Sequence, residues 1–288
     1  MQRIAPTFVA GAAILWGILI IFVRQLDGAG LSSMEIVALR VYGSATILVL
    51  GLLIYNRNLL KIKWKDMWCF VGTGIVSIVF FSYCYFRNVT ISSASVSSIL
   101  LYTSPVWVTI LSRLVFKECI GRKKLMALFM AVAGCGLVSE ITGGLGNVSV
   151  EGILLGLGSG IGYGLYSIFG RMALEKGYHP MTVSAYTFLF ACIGVLPFLN
   201  PGSLLEKMNR DPLAWLWVLA MALLSTCMAF TLYTVGLKYM EAGRAAVLAT
   251  LEPIVTSLVG VIIYQENLSL IMILGIALVL ISSIIINR

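Results

Sequence analysis

One acid stands apart in this chain. Glu252 lies near the middle of an apolar run, AAVLATLEPIVTSLVGVII, that holds no other charged residue. An ionised carboxylate at the centre of a bilayer costs several kcal/mol unless it is paired or faces water. A carboxyl group so placed suits proton carriage, or pairing with the amine of a solute. The plainer alternative is a structural acid held by Arg40 or by backbone groups freed at Pro253. Arg40 is the other charge well inside an apolar stretch, and its long stem suits a reach back to the interface. Pro105 and Pro253 each remove a backbone donor in mid-stretch, so the freed carbonyls must find neighbouring helices, hydroxyls or water. Interrupted helices at such places point toward transport sites. Both prolines are therefore candidate hinges, with a packing kink as the alternative.

Enzyme chemistry has little to work with. The one histidine, His179, lies between apolar stretches, and the sequence contains neither HExxH nor a Cys/His cluster. The cysteines lie in or beside apolar runs without a CxxC and read as small packing residues. GLGSGIG departs from GxGxxG and follows no strand, which argues against a dinucleotide site. Gly156, Gly160 and Gly164 instead fall four apart on one helix face, where they let a neighbouring helix approach closely. Glu118 and Glu266 each follow an apolar run and read as helix-end and loop anchors, with Ser269 capping the helix beyond. Arg24 and Arg171 read as interfacial anchors. No cofactor and no metal is expected.

The elements that must hold these residues follow from composition. Of 288 residues, 60% are hydrophobic and only 11% are charged, with a mean hydropathy of +1.00, against roughly 25% charged in a soluble domain. Ten apolar windows, each able to cross a bilayer, span 5–23, 33–55, 66–86, 92–112, 123–140, 152–170, 180–199, 213–236, 243–263 and 268–286. The runs are continuously apolar rather than alternating, which favours helices over a β-barrel. The expected fold class is an all-α membrane protein of ten transmembrane helices with short connections. The net charge of +8 is distributed by side: fifteen basic residues collect on the face of the N-terminus and four on the other. The positive-inside rule then places a multi-pass protein in the cell membrane with both termini cytoplasmic. The basic excess is a topology signal, and no nucleic-acid partner is expected. Arg3 ahead of the first run resembles a secretion signal, but the length of that run and its counterpart in mid-chain mark it as retained.

That counterpart belongs to an internal repeat. At an offset of 147, Gly11, Ile14, Gly17, Ile21, Phe22 and Arg24 fall on Gly158, Ile161, Gly164, Ile168, Phe169 and Arg171. At an offset of 148, Tyr85, Ala94, Leu100, Pro105 and Glu118 fall on Tyr233, Ala242, Leu248, Pro253 and Glu266. Residues 1–142 and 147–288 thus read as two copies of a five-helix unit. Five is odd, so the second copy enters the membrane from the opposite side. Inverted repeats suit alternating access, with a substrate site near the midplane between the halves. Glu252 falls on Ser104, so the halves are chemically unequal.

Two five-helix copies, a W/Y-G step in the first helix of each, Arg40 in the second helix, and fourth helices reading SPVWVTILSRLVFKE and EPIVTSLVGVIIYQE resemble the EamA-type members of the drug/metabolite transporter superfamily. The resemblance covers the whole chain. It implies a central cavity lined by helices 1, 3 and 4 with 6, 8 and 9, and export of amino acids, metabolites or drugs. It leaves Arg40 outside the cavity lining, in a structural role. Aromatics and hydroxyls on the implied cavity helices are Trp16, Tyr83, Tyr85, Tyr102, Tyr163, Tyr166, Ser167, Tyr233 and Thr250. Such a wall suits aromatic, amphipathic or cationic solutes, the last through cation–π attraction.

The expectation is a gradient-driven carrier, coupled to protons through Glu252, that exports amino acids or other small amphipathic metabolites. Its partners are a small-molecule substrate, protons and the lipid bilayer. An importer of a cationic or neutral metabolite such as choline is the alternative. A channel fits less well, because no ring of charges or carbonyl filter is visible, and a membrane-embedded enzyme fits least.

Overall fold

The computed structural model describes residues 1–139 and 149–287; Asn147, Arg288 and the junction between the repeats lie outside them. The chain folds into α1 (Gln2–Gly28), α2 (Ser33–Tyr55), α3 (Trp64–Ile91), α4 (Ala94–Phe116), α5 (Arg122–Val138), α6 (Val150–Glu175), α7 (Pro180–Phe198), α8 (Leu213–Tyr239), α9 (Ala242–Tyr264) and α10 (Leu270–Asn287). Nine of these are at least 18 residues long and apolar enough to cross a membrane, and α5, at 17 described residues, pairs along its length with α10. There is no strand among the described residues. Backbone polar groups in a bilayer must be satisfied within the segment, which is why the apolar windows become helices.

Short polar signals set the helix ends. Ser32 and Glu35 form a capping box at the start of α2, with the Ser32 N–H donating to Glu35 at 2.7 Å. Ser93, Ser149 and Ser269 accept from the first turns of α4, α6 and α10 at 3.2, 3.1 and 3.1 Å. At the far ends of α4 and α9, Lys117 and Gln265 adopt the same left-handed conformation, each with φ 57°. The next residues close equivalent turns: Glu118 N–H donates to the Ser112 carbonyl at 3.4 Å, and Glu266 N–H to that of Gly260 at 3.2 Å.

These twin ends lie at opposite faces of the bundle. Call the first face the one holding the start of α1 and the α4–α5 link, and the second face the other. Gly134 of α5 and Gly275 of α10 meet where the two helices cross antiparallel: a Cβ on Gly134 would lie 2.9 Å from the Gly275 carbonyl oxygen. The halves thus share one local design in inverted orientation.

The spans are less regular than the windows suggest. α1 is interrupted at Ile18, α4 at Tyr102–Thr103 and α9 at Thr250. Pro105 and Pro253 sit in the first turn of the segments that follow, Ser104–Phe116 and Leu251–Tyr264. The mid-helix reading of the prolines needs this correction: their missing donors fall where a new helix starts and has no use for them. Thr103 and Thr250, each just ahead of the second segment, donate from their hydroxyls to the Leu100 and Val247 carbonyls at 2.6 Å each. α3 and α8 each contain a π-helical stretch, Gly72–Val79 and Met221–Met228, and such widened turns concentrate at functional sites.

The connections are not all bare loops. Pro201–Arg210 forms a short helix between α7 and α8 on the second face, with Met208 fully buried and Lys207 bonded to Glu35 at 2.8 and 3.1 Å. Its two charged turns hide the helical period in the sequence.

Candidate functional site

The site starts from the glycine stripe. A Cβ on Gly160 would meet the Leu100 carbonyl oxygen at 2.8 Å and Thr103 Oγ1 at 2.7 Å, and one on Gly156 would meet Leu100 Cβ at 2.7 Å. A Cβ on Gly164 would meet Val108 at 2.9 Å. Gly156, Gly160 and Gly164 therefore seat α6 directly on the interruption in α4, by the close-packing role that small residues play in membranes. This contact fixes the next turn of α6, which presents Tyr163, Tyr166 and Ser167 inward.

Tyr163 donates a 2.8 Å hydrogen bond from its phenol to Glu252 Oε2. Its ring meets those of Trp16 (6.2 Å between centroids) and Phe81 (5.5 Å), both edge to face. Trp16 also packs on Phe230 and Tyr233 at 5.1 and 5.2 Å. Ser167 and Tyr233 share a 2.6 Å hydrogen bond, and Tyr166 and Thr234 a 2.7 Å one. Trp16, Ser77, Ile78, Phe81, Tyr163, Tyr166, Ser167, Phe230 and Tyr233 enclose a cavity of about 20 Å³, enough for one water. Two of its polar atoms, Trp16 Nε1 and Ser77 Oγ, have no partner among the described residues. The inner wall is closed around its own side chains.

Glu252 has further company. Tyr85, hydrogen-bonded to Ser98 at 3.3 Å, and Tyr102, packed beside Cys135 and Ile254, both lie within its electrostatic reach. So does Arg40, against expectation. Arg40 is 8% exposed and does not snorkel to the interface. The reason is the seat of α2 between α7 and α8, where Ser44 bonds the Ala222 carbonyl at 3.2 Å and Tyr42 the Cys192 carbonyl at 3.1 Å. Arg40 feels the charge of Glu252 yet forms no contact ion pair with it, and its Nε has no partner among the described residues.

Two other candidates fall differently. Tyr83 is 43% exposed and stacks on Phe198 at 5.6 Å on the outside of the bundle, so it does not join the inner wall. Thr250 is buried at the α9 break and serves backbone geometry. Phe81, Phe230 and Ser77 line the cavity without having been singled out. Their signal was present for Phe81 and Ser77 in the implied cavity helix α3, but a phenylalanine in an apolar run looks like packing.

Glu118 and Glu266 are more than anchors, and Arg24 and Arg171 more than interfacial residues. Glu118, 6% exposed, bonds Arg171, Lys124 (2.8 Å), and the backbone N–H groups of Ala242 (2.8 Å) and Gly243 (3.3 Å) at the start of α9. Burial pushes its carboxyl up, but Lys124, the Ala242 amide and Arg171 outweigh this and hold it below the ordinary carboxylate range. On the second face, Glu266 bonds Arg24 at 2.5 Å in an exposed pair. Beside the Glu118 cluster a vestibule of about 580 Å³ opens at the first face, its wall including Arg171, Lys238, Glu241 and Arg244.

A bundle of ten apolar helices with interrupted central helices defines an all-α, multi-pass membrane protein. The EamA-like transporter family matches residues 3–140 and again residues 150–288, and the chain belongs to that family. An uncharacterized transporter of Archaeoglobus fulgidus is 26% identical over 97% of this chain and 94% of its own. The uncharacterized transporter YetK of Bacillus subtilis is 25% identical over 84% of this chain and 74% of its own. A protein crystal structure superposes with a TM-score of 0.80 over 98% of this chain and 95% of that one, at 17% identity, which shows a shared fold.

Proposed function

We propose that this protein is a secondary transporter that exports amino acids, or small amphipathic metabolites like them, by alternating access. The observation that carries the reading is the pairing of Glu252 with Tyr163, together with a buried Arg40 whose Nε lacks a hydrogen-bond partner among the described residues. Opposite charges close enough to attract without touching suit a zwitterion that bridges them: its ammonium on Glu252, its carboxylate on Arg40. A guanidinium is suited to grip a carboxylate with two parallel hydrogen bonds. Trp16, Tyr163 and Tyr233 would supply the apolar wall for the side chain. When the substrate leaves, Glu252 takes a proton in its place, which couples export to the proton gradient.

The basic side assigned from the sequence makes the first face cytoplasmic, in the cell membrane, and the two repeats move against each other at the breaks before Pro105 and Pro253. Choline-like cations are the second reading, favoured by the aromatic wall; the buried Arg40 repels them. Counterflow in liposomes against amino acids, their decarboxylated amines, choline and nucleosides separates these readings. Saturable exchange of amino acids supports the proposal. Saturable exchange of choline alone, or linear flux of every solute, contradicts it.

A further inference from the structure

The two ends of the inverted repeat carry the same parts in different states. Glu118 and Glu266 are repeat equivalents, on turns of the same geometry. Arg171 and Arg24 are equivalents too, and each lies over an equivalent ring: Arg171 over Phe116 at 4.7 Å and Arg24 over Tyr264 at 4.1 Å. What differs is the third part. Glu118 is buried and caps α9 through the N–H groups of Ala242 and Gly243. The equivalent residues at the start of α4 are Ala94 and Ser95, whose N–H groups have no such acceptor among the described residues, and Ala94 is exposed where Ala242 is fully buried. Glu266, side chain 45% exposed, holds only Arg24 among the described residues. One molecule thus displays the same device closed at one face and open at the other.

We propose that Glu118 and Glu266 are alternating latches. In the present conformation Glu118 caps α9 and locks the first face. In the opposite conformation Glu266, carried with Arg24, caps the start of α4 at Ala94 and Ser95 while Glu118 lets go. A carboxylate is attracted to the free N–H groups and positive end of a helix start, so each latch has a seat waiting for it. Arg171 and Glu241 belong both to the Glu118 cluster and to the vestibule wall, so release of Glu118 extends the vestibule inward. The proposal rests on the alternating-access reading above and is independent of which solute is carried.

The test uses the full chain in liposomes with the exposed Cys119 replaced by serine and Ala94→Cys added, probed with a membrane-impermeant maleimide. In the parent, Cys at position 94 labels readily. Glu118→Gln releases the first-face latch and slows labelling by roughly 5- to 150-fold, the span of ordinary coupling energies. Adding Glu266→Gln restores it. If Glu118→Gln does not fold, Lys124→Gln weakens the same latch and gives a smaller slowing, again reversed by Glu266→Gln. Labelling unchanged or faster in the released variants overturns the proposal, as does slowing that Glu266→Gln fails to reverse. No substrate enters the measurement, so a wrong substrate class leaves the answer intact.

Discussion

Tyr163 holds Glu252 by a 2.8 Å hydrogen bond, while the equivalent positions of the first half, Trp16 and Ser104, offer neither a phenol nor an acid. The fold is doubled, but the acid–phenol pair is single. Under the proposed function, a transporter built from two such halves has one carboxylate to load and unload per cycle.

Removing the phenol tests that pairing. Tyr163→Phe keeps the ring against Trp16 and Phe81 but loses a hydrogen bond to a charged group, an interaction of about 1.5–3 kcal/mol. We expect initial counterflow rates to fall about tenfold or more with little change in melting temperature.

Arg40 tests the zwitterion. Arg40→Gln should raise the half-saturating concentration for an amino acid about 10- to 100-fold, the equivalent of losing a charged hydrogen bond. The decarboxylated amine of the same side chain should then be carried as well as before, or better. Equal losses for both solutes would return Arg40 to a structural role.

The glycine stripe predicts a contrast within one helix. Gly160→Ala places a Cβ 2.8 Å from a backbone carbonyl oxygen that cannot yield, whereas a Cβ at Gly158 meets nothing nearer than 3.4 Å. Overpacking of that kind costs about 1–3 kcal/mol. Thermal unfolding in detergent should show Gly160→Ala melting several degrees lower, with Gly158→Ala near the parent.

Acid should act through Glu118. Its carboxyl is held below its ordinary value in the folded chain despite its burial, because Lys124, the Ala242 amide and Arg171 favour the ionised form. The stability it contributes is therefore complete above the ordinary value of about 4.3 and is lost as pH falls through the lower, folded value. Melting temperature measured from pH 7 downward should drop in that acid window, and Glu118→Gln should flatten this part of the profile while lowering the plateau at pH 7.

Much of the architecture was legible in the sequence because hydrophobic run length and charge placement are strong signals in a bilayer. The helical spans follow from them, and the cap at Ser269 from its place just ahead of an apolar run. The breaks were visible only through the prolines, which mark where the second segment begins rather than where a helix kinks; the interruption at Ile18 has no proline and left no mark. Arg40 was misplaced because a residue near a span end has two routes for its head group, and only the packing of α2 against α7 and α8 decides between them. The Arg24–Glu266 and Arg171–Glu118 pairs bridge the halves across 242 and 53 residues, a distance in sequence that no local pattern encodes. Tyr83 and Tyr163 are alike as residues in apolar runs, and only the fold turns one outward and the other onto Glu252.

The central claim is that Glu252 couples the proton gradient to the solute. The direct measurement is solute uptake into proteoliposomes driven by an imposed pH gradient, for the parent and Glu252→Gln, alongside counterflow without a gradient. The account predicts that the parent accumulates solute only with the gradient, and that Glu252→Gln loses this accumulation. Accumulation by Glu252→Gln equal to that of the parent, or uptake by the parent that ignores the gradient, would contradict it.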